Sequence, residues 1–408
     1  MSDLSQIATD ADISFINHHV NIPKIAIIGG GLTGLLTATL LERAFAEQLN
    51  QADAMNSTAD ITIFEKSRSV GRLATRYRTH KDTDNDANAD VSKQWQWAFG
   101  AQFFTAKTDG FSQFIAPWLD LGLLQPWRAQ VVELLSASDE DQQLEINKVE
   151  QWDSTHARYI STPKMTSWGR ELADNLASST IKFKTRVAPL TQSKTNDLLQ
   201  QTELFDEDGA SLGQFDWVIC TAPNGQAVEL MADSGFSEQA KILRAKMLAC
   251  YTLMLGWDNL TSLPDSLDSS SNKAWDVAYP QDSILAKIFV EHYKPNHDQI
   301  LPSVTIHADN KWSESHVDED VKDIQAQLLT AAQQALNWND NTAPSQIDCH
   351  RWRYASTVVD SDKEELGILV DKTRHLIVSG DWCGQGNIES CYRMAVETVE
   401  VVTGSLNK

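Results

Sequence analysis

Three glycines near the start of the chain have the spacing of a dinucleotide-binding turn. Gly29, Gly31 and Gly34 fit the pattern G-x-G-x-x-G within the segment IAIIGGGLTGLLTATLLERAF. The first glycine of this pattern permits a tight turn, the second lets the backbone approach a pyrophosphate, and the third lets a helix pack close to a sheet. Free N–H groups at the helix start then face the phosphates. The alternative is a glycine-rich turn that binds no ligand.

The segments that flank the glycines favour nucleotide binding. The apolar run 25–28 is typical of a strand that is buried on both faces of a parallel sheet. After the glycines, Leu35, Leu36, Leu40 and Leu41 recur at helical spacing. A strand, a glycine turn and a helix in this order are the structural context that the motif requires.

A second predicted strand, in the segment ITIFEKS, ends in an acidic residue. Glu65 follows the apolar run 61–64, and a carboxylate at this point can accept hydrogen bonds from both ribose hydroxyls of an adenosine. The usual spacing from the last glycine is about 20 residues. The polar insertion 46–60 lengthens it here. An ordinary surface glutamate is the alternative.

Two further segments favour FAD over NAD as the dinucleotide. Arg72 follows Gly71 directly, and its guanidinium offers a fork of donors to a pyrophosphate. NAD-dependent dehydrogenases do not need this second clamp. In WAFGAQFFTAK, the small residues Gly100 and Ala101 allow a flat ring to lie close to the backbone, and the amide of Gln102 can face the polar edge of that ring. The alternative for Gln102 is simple packing against the backbone.

Composition limits the class of protein. The chain has 408 residues and a formal net charge of −22, so most of its surface repels nucleic acid and anionic lipid. No apolar run reaches the ~18 residues of a membrane-spanning helix, and the first twenty residues do not have the pattern of a secretory signal. The five cysteines form no C-x-x-C pair, which indicates free thiols in the cytoplasm. No bound metal is expected.

In this order, the motifs resemble the FAD-containing amine-oxidase superfamily and, within it, the renalase-like bacterial enzymes. After the strand–glycine–helix unit, the resemblance is carried by SRSVGRLATR, FGAQFFTAKTDGF, WVICTAPNGQA, HRWRYA and LIVSGDWCGQGNIESCYRMAVETVEVV. It runs from about Lys24 to the end of the chain. It implies a bound FAD that contacts residues from every motif: Gly29, Gly31, Leu32, Thr33, Gly34, Glu65, Lys66, Arg72, Leu73, Gly100, Ala101, Gln102, Phe103, Phe104, Val187, Thr221, Pro223, Gly380, Asp381, Ile388, Glu389 and Ser390.

The C-terminal motif also fits a flavin on physical grounds. Gly380 and Asp381 follow the apolar strand 376–378, and the carboxylate can bond a ribityl or ribose hydroxyl. Ile388, Glu389 and Ser390 open the last helix, whose positive end can face the N1–C2=O edge of the ring. That edge gains negative charge on reduction, so the helix dipole favours reduced flavin. The alternative is a strand and a helix that only complete a core.

Four residues are candidates for catalysis. Trp352 is predicted to form a wall of the substrate pocket, His350 and Arg353 are candidates for contacts to an amide or phosphate, and Gln102 faces the flavin. In a strand, His350, Trp352 and Tyr354 share one face whereas Arg353 lies on the other. Trp352 therefore ranks above the arginine. Packing of Trp352 in a domain interface is the alternative.

The predicted fold class is α/β. A Rossmann-like FAD-binding domain of the glutathione-reductase/p-hydroxybenzoate-hydroxylase type is joined to an α+β substrate domain on a mixed or antiparallel sheet. The FAD-binding domain is predicted to be discontinuous, comprising 23–110, 161–225 and 348–408, and to follow a loose extension, 1–22. The substrate domain comprises 111–160 and 226–347.

The resemblance implies an oxidase that takes hydride from 2- or 6-dihydro isomers of NAD(P), returns NAD(P)+ and passes electrons to O2 to give H2O2. The expected partners are a small-molecule substrate and O2, with neither nucleic acid nor membrane. Two alternatives stay open: an amine oxidase or desaturase on the same scaffold, and a non-catalytic flavin-binding protein.

Overall fold

The structure is a computed structural model of the chain. It describes residues 23–49, 60–68, 71–80, 94–136, 144–196, 201–268, 274–297, 299–360 and 364–406. The predicted extension 1–22 lies outside these ranges. Most residues of the polar segments 46–60 and 79–94 also lie outside them.

The described chain begins with a strand, a helix and a second strand, and strands predominate in the middle. The helices are α1 Leu32–Leu49, α2 Asp109–Asp120, α3 Thr166–Asp174, α4 Asn224–Met231, α5 Gln239–Ile242, α6 Asn310–Ser315, α7 Val321–Leu336 and α8 Ile388–Leu406. The strands are β1 Lys24–Ile28, β2 Asp60–Glu65, β3 Thr75–Thr79, β4 Gln94–Ala98, β5 Leu124–Pro126, β6 Gln130–Ser136, β7 Leu144–Gln151, β8 Tyr159–Ser161, β9 Thr180–Phe183, β10 Lys194–Asn196, β11 Gln201–Phe205, β12 Ser211–Phe215, β13 Trp217–Cys220, β14 Met247–Gly256, β15 Val277–Pro280, β16 Leu285–Val290, β17 Ser303–Ala308, β18 Gln346–Thr357, β19 Leu369–Asp371 and β20 Leu376–Val378.

A six-stranded sheet in the order β19-β20-β13-β1-β2-β9 is built from both ends of the chain. Its pairs are parallel except the edge pair β19–β20. Continuous apolar strands suit this sheet because both of its faces are covered. One face packs against α1, α2, α3 and α8, and the other against α4 and the β10-β11-β12 sheet.

The second large sheet is mixed and has seven strands in the order β18-β14-β17-β16-β15-β6-β7. Its pairs are antiparallel except β15–β6. Ile324, Leu328 and Ala332 repeat at helical spacing on α7 and pack on one face of this sheet. The opposite face packs in part against Trp95 and Trp97 of β4 and against Trp127 and Trp152, and in part it borders the cavity.

Two local predictions need correction. The alternating segment IKFKTRVAPL is predicted as one strand, but β9 ends at Phe183 because Lys184 adopts a left-handed backbone with φ 54°. The sequence also predicts a helix in STPKMTSWGRELADNLA that is capped by Ser161 or Thr162, but its N-cap is Met165. The Ser161 hydroxyl nevertheless accepts a hydrogen bond from the Trp168 N–H at 3.0 Å, so it satisfies one free donor of the first turn.

The division into domains remains a prediction, although each large sheet draws its strands from separate chain segments. No helix in the described part of the chain has both the length and the apolar character needed to cross a membrane.

Candidate active site

The glycine turn between β1 and α1 has three glycines with different surroundings. Gly29 turns the chain with φ 121°, and its N–H donates to the Phe64 carbonyl at 2.9 Å. A Cβ on Gly34 would lie 2.0 Å from the Gly29 oxygen, so this position admits only glycine without a backbone shift. A Cβ on Gly31 would meet no atom within 4 Å. Gly31 therefore borders an open groove at the start of α1, where a pyrophosphate can approach the backbone.

Glu65 lies buried at the end of β2 and holds the same turn. Its Oε2 accepts from the Gly30 N–H at 2.8 Å and its Oε1 from the Ser67 N–H at 2.7 Å. Each carboxylate oxygen keeps further acceptor capacity. The carboxylate can thus accept a ribose hydroxyl while it fixes the backbone beneath it.

Arg72 and Asp381 form an ion pair between the two ends of the chain, with Nη2 and Oδ1 2.5 Å apart. The same guanidinium donates to the Ala355 carbonyl at 3.2 Å, in β18. Burial lowers the pKa of Arg72, but the charge of Asp381 outweighs this effect and the pKa is raised overall. The guanidinium is therefore positive and fixed at the groove, where it can also face phosphate oxygens.

A cavity of about 1010 Å³ extends from the glycine turn to the seven-stranded sheet. Most of the residues predicted from the sequence line it: Gly29, Gly31, Leu32, Thr33, Glu65, Lys66, Arg72, Leu73, Gly100, Ala101, Gln102, Phe103, Phe104, Val187, Thr221, Pro223, His350, Trp352, Asp381 and Ile388. The fold therefore brings together residues that are dispersed over nearly the whole sequence.

Five predicted residues do not line the cavity: Gly34, Gly380, Glu389, Ser390 and Arg353. Arg353 points away from it, and its guanidinium lies 2.8 Å from the Asp318 carboxylate with the side chain 48% exposed. The period-two alternation of β18 explains this placement, since it turns Trp352 to the cavity and Arg353 to solvent. A direct role of Arg353 in substrate contact is not supported.

At the start of α8, the three predicted residues have different surroundings. Only Ile388 of the three predicted residues lines the cavity. The Glu389 carboxylate instead accepts from the backbone N–H groups of Lys107 and Thr108, at 2.9 and 2.7 Å. The Ser390 hydroxyl accepts from the Gln385 N–H at 2.9 Å. These side chains hold the loop before α8 and the segment before α2, so their contribution to a cofactor site is positional.

Four side chains from four strands form the floor of the cavity on the seven-stranded sheet. The ladder pairs Lys287 with His307, His307 with Thr252, and Thr252 with His350. Directly opposite residues of antiparallel strands project to the same face, and all four line the cavity. We call His350, Thr252, His307 and Lys287 the floor row.

Both imidazoles of the floor row are neutral at physiological pH. Burial lowers the pKa of His307 to about 3, with Lys287 and Lys294 adding to the shift. Burial also lowers the pKa of His350 to about 4, assisted by Arg76 and Arg351. The ammonium of Lys287 is therefore the charged group of the row.

Trp352 lies beside the floor row, and Phe99 holds its indole in place. Its Nε1 donates to the Phe99 carbonyl at 2.8 Å, and its ring stacks on the Phe99 ring at 5.2 Å between centroids. The indole thus forms a rigid wall of the cavity, next to the small residues Gly100 and Ala101.

Gln102 connects the cofactor loop to the substrate sheet through a buried charged network. Its Oε1 accepts from Lys294 Nζ at 2.7 Å, and its Nε2 bonds the Ala98 carbonyl and lies 3.4 Å from His307 Nε2. Lys294 in turn pairs with Glu291 at 2.9 Å, with both side chains inaccessible to solvent. These hydrogen bonds fix the orientation of the Gln102 amide, with Oε1 towards Lys294 and Nε2 towards the Ala98 carbonyl.

The sequence matches a family described as flavin containing amine oxidoreductase over residues 165–403, which is more than half of the 408 residues. The chain belongs to this family. Residues 27–106 also match an NAD(P)-binding Rossmann-like domain, the part that contains the glycine turn, Glu65 and Arg72. The protein is therefore an FAD-dependent oxidoreductase, and the predicted FAD and enzyme class are confirmed.

Two solved structures are similar to this chain in fold. A protein of Exiguobacterium sp. 255-15, described as a candidate protoporphyrinogen oxidase, has a TM-score of 0.64 at 13% identity, covering 94% of this chain and 99% of its own. Wild-type putrescine oxidase bound to putrescine has a TM-score of 0.62 at 10% identity, with the same coverage. At these identities the similarity concerns the fold alone, and it confirms the predicted fold class.

The groove has the features that FAD needs. Gly31 leaves space for the pyrophosphate, Glu65 offers acceptors to a ribose, and Arg72 supplies positive charge. Gly100 and Ala101 line the cavity, and Gly100 also lets the Arg72 backbone approach, because a Cβ there would lie 2.0 Å from the Arg72 carbonyl oxygen. Residues from the glycine turn, the 99–104 loop and the start of α8 would hold the cofactor.

Sequence reasoning missed Lys287, His307, Glu291 and Lys294. One signal was available: Lys287 interrupts the apolar strand ILAKIF, where a charged residue needs a reason. The Lys294–Gln102 contact had no local signal, because it joins residues 192 positions apart. Among the described residues, no cluster of histidine, cysteine, aspartate or glutamate could hold a metal ion.

Proposed function

We propose that this flavoenzyme is a renalase-like oxidase. It takes hydride from 2- or 6-dihydro isomers of NAD(P), and the net reaction consumes O2 and one proton to give NAD(P)+ and H2O2. FAD, when bound, would supply the hydride acceptor and the means to pass two electrons to O2. The residues of the chain bind and orient the dihydropyridine ring and exclude water.

The observation that carries this proposal is the absence of acidic side chains from the substrate end. The seven-stranded sheet and its adjoining segments contribute the cavity residues Cys250, Thr252, Ala286, Lys287, Phe289, His307, Ala308, Asn310, His350, Trp352, Tyr354, Ala355 and Ser356. None of these described residues carries a carboxylate. A site for a cationic amine would be expected to offer one, because a desolvated ammonium needs a counter-charge.

The carboxylates that do line the cavity belong to its cofactor end. Glu65 holds the glycine turn and Asp381 pairs with Arg72. Glu207 and Glu229 both pair with Arg186, at 2.9 and 3.5 Å. These groups support the adenosine half and leave the substrate half without negative charge.

A dihydropyridine also requires little assistance from side chains. It becomes aromatic when it loses hydride, so no base must act first, and alignment over the flavin supplies most of the catalysis. The rigid Trp352–Phe99 stack and the neutral floor-row histidines suit this task. Neutral imidazoles can donate a hydrogen bond to a carboxamide oxygen without adding charge.

Anaerobic reduction of the bound flavin tests the proposal. The isomer mixture obtained by borohydride reduction of NAD+ should bleach the flavin absorbance within seconds, whereas ordinary 4-dihydro NADH and putrescine should not. Rapid bleaching by putrescine would replace the proposal with an amine oxidase. Firmly bound flavin that none of these compounds reduces would favour a non-catalytic flavin-binding protein.

We also propose a cytoplasmic location, consistent with the predicted reducing compartment. All five cysteines are free, and burial raises the pKa of Cys220, Cys250 and Cys391 to about 12, so these thiols are unreactive and need no disulfide partner.

A further inference from the structure

Lys287 is a half-buried cation without an acidic partner. It lies in the middle of β16 and projects into the cavity as the last member of the floor row. Within the described ranges, no carboxylate lies within 4.0 Å of its ammonium. Its nearest aromatic contact is the Tyr279 ring, 5.9 Å from Nζ to the centroid. By contrast, the buried ammonium of Lys294 nearby is paired with Glu291.

The surroundings of Lys287 do not compensate its charge. His307 and His350 are neutral at physiological pH, and Thr252 is uncharged. Burial raises the pKa of Cys250 to about 12, so this neighbour is a neutral thiol. Burial also lowers the pKa of Lys287, which reflects the cost of keeping the ammonium here. Such a cost is offset when an anion arrives.

We propose that Lys287 binds an anionic oxygen group of the substrate, either a carboxylate or a phosphate, at the floor of the cavity. In a protein of net charge −22, an anionic ligand needs a local positive site. Lys287 supplies it at the end of the cavity that lacks acidic residues. The inference rests on the proposed function in one respect: it takes the bound ring to be a pyridine nucleotide.

Such a substrate has two sources of negative charge. The pyrophosphate is present in NAD(P) itself, whose ring carries a neutral carboxamide, whereas a ring carboxylate is present only in the nicotinate form of the nucleotide. The floor row crosses three strand spacings, about 14 Å from Lys287 to His350. A ligand with its ring near His307 can reach Lys287 directly, whereas a ring near His350 would reach it only through a longer substituent.

Calorimetric titration of the FAD-loaded protein measures whether Lys287 prefers a carboxylate or a phosphate. The probes are nicotinate, its neutral analogue nicotinamide, and inorganic pyrophosphate. We expect at least one of the two anions to bind tenfold or more tightly than nicotinamide. In Lys287→Met that preference should disappear, and in Lys287→Arg most of it should remain. Lys148→Met removes an exposed lysine of β7 and should change nothing.

The proposal is overturned if neither anion binds better than nicotinamide, or if Lys287→Met retains the preference. Flavin content and near-UV circular dichroism establish that each variant is folded, and Lys287→Gln replaces Lys287→Met if the latter is not. These titrations involve no turnover. A failure of dihydro-NAD isomers to reduce the flavin would therefore refute the proposed function and leave the anion site standing.

Discussion

The guanidinium of Arg72 lies 2.5 Å from the carboxylate of Asp381, across 309 positions of sequence. Arg72 follows the second strand of the six-stranded sheet and Asp381 follows the last, so the pair joins the two ends of the chain beneath the cavity. The same guanidinium reaches the Ala355 carbonyl in β18. It thus connects the cofactor groove with the substrate sheet.

Replacing Arg72 by alanine should weaken FAD binding by about 10- to 100-fold. A hydrogen bond to a charged group contributes roughly 1.5–3 kcal/mol, and each 1.4 kcal/mol is a factor of ten in affinity. Arg353→Ala is the matched control, because Arg353 forms an arginine–aspartate pair that is exposed and outside the cavity. Fluorescence titration of the apoprotein with FAD measures both; equal affinities for the two variants would contradict the assignment of Arg72.

Alanine at Gly31 and at Gly34 should have different effects. Gly31→Ala adds a methyl group to open space where the pyrophosphate approaches, so it should reduce FAD affinity at least tenfold with apoprotein stability nearly unchanged. Gly34→Ala places a Cβ 2.0 Å from a backbone oxygen and should destabilise the apoprotein by about 1–3 kcal/mol. Urea unfolding of the apoproteins, with FAD titration of each, distinguishes them. Loss of apoprotein stability in Gly31→Ala would count against the open-groove interpretation.

Removing the charge of Lys294 should be severely destabilising. Lys294→Met leaves Glu291 buried without its partner, and breaking a buried pair in this way costs about 3–5 kcal/mol. The double variant Lys294→Met with Glu291→Gln should recover part of this loss. Lys148→Met, which breaks an exposed pair with Glu133, should cost less than about 1 kcal/mol. Chemical denaturation measures all three; similar losses for Lys294→Met and Lys148→Met would refute the argument.

Stability should fall as the pH falls from 6.5. Between pH 6.5 and about 3 the unfolded chain binds a proton at His307 that the folded protein does not, because burial lowers the pKa of His307 in the fold. The unfolded state then binds more protons, so the free energy of unfolding decreases with decreasing pH. His307→Gln should reduce the slope of this dependence between pH 6.5 and 5, and the part due to His350, whose pKa burial lowers to about 4, should remain. The control His156→Gln, at an exposed position, should leave it unchanged.

The cofactor half of the site could be predicted from the sequence because its signals are local. Gly29, Gly31, Glu65 and Arg72 each follow a strand whose apolar run is visible in the sequence, and parallel strands of one sheet place their carboxyl ends at the same edge. Position relative to a strand end is then enough to bring these residues together.

The substrate half could not be predicted in the same way. The floor row depends on the register of four antiparallel strands, and a shift of one residue would turn each of its side chains to the opposite face. The hydrogen bonds of Glu389 could not be predicted for a related reason. Its place at a helix start was evident, but its backbone partners lie more than 280 positions earlier.

The backbone hydrogen bonds of the seven-stranded sheet do not depend on which side chains project from the floor row. Exchange of His350, His307 or Lys287 leaves these backbone bonds in place, whereas the buried Thr252 also donates to the Phe99 carbonyl at 3.1 Å, and the glycine turn lies on a different sheet. Evolution can in this way diversify the compounds that are oxidised while the flavin-binding apparatus is inherited intact. Laboratory selection for new substrates should begin at His350, His307 and Lys287.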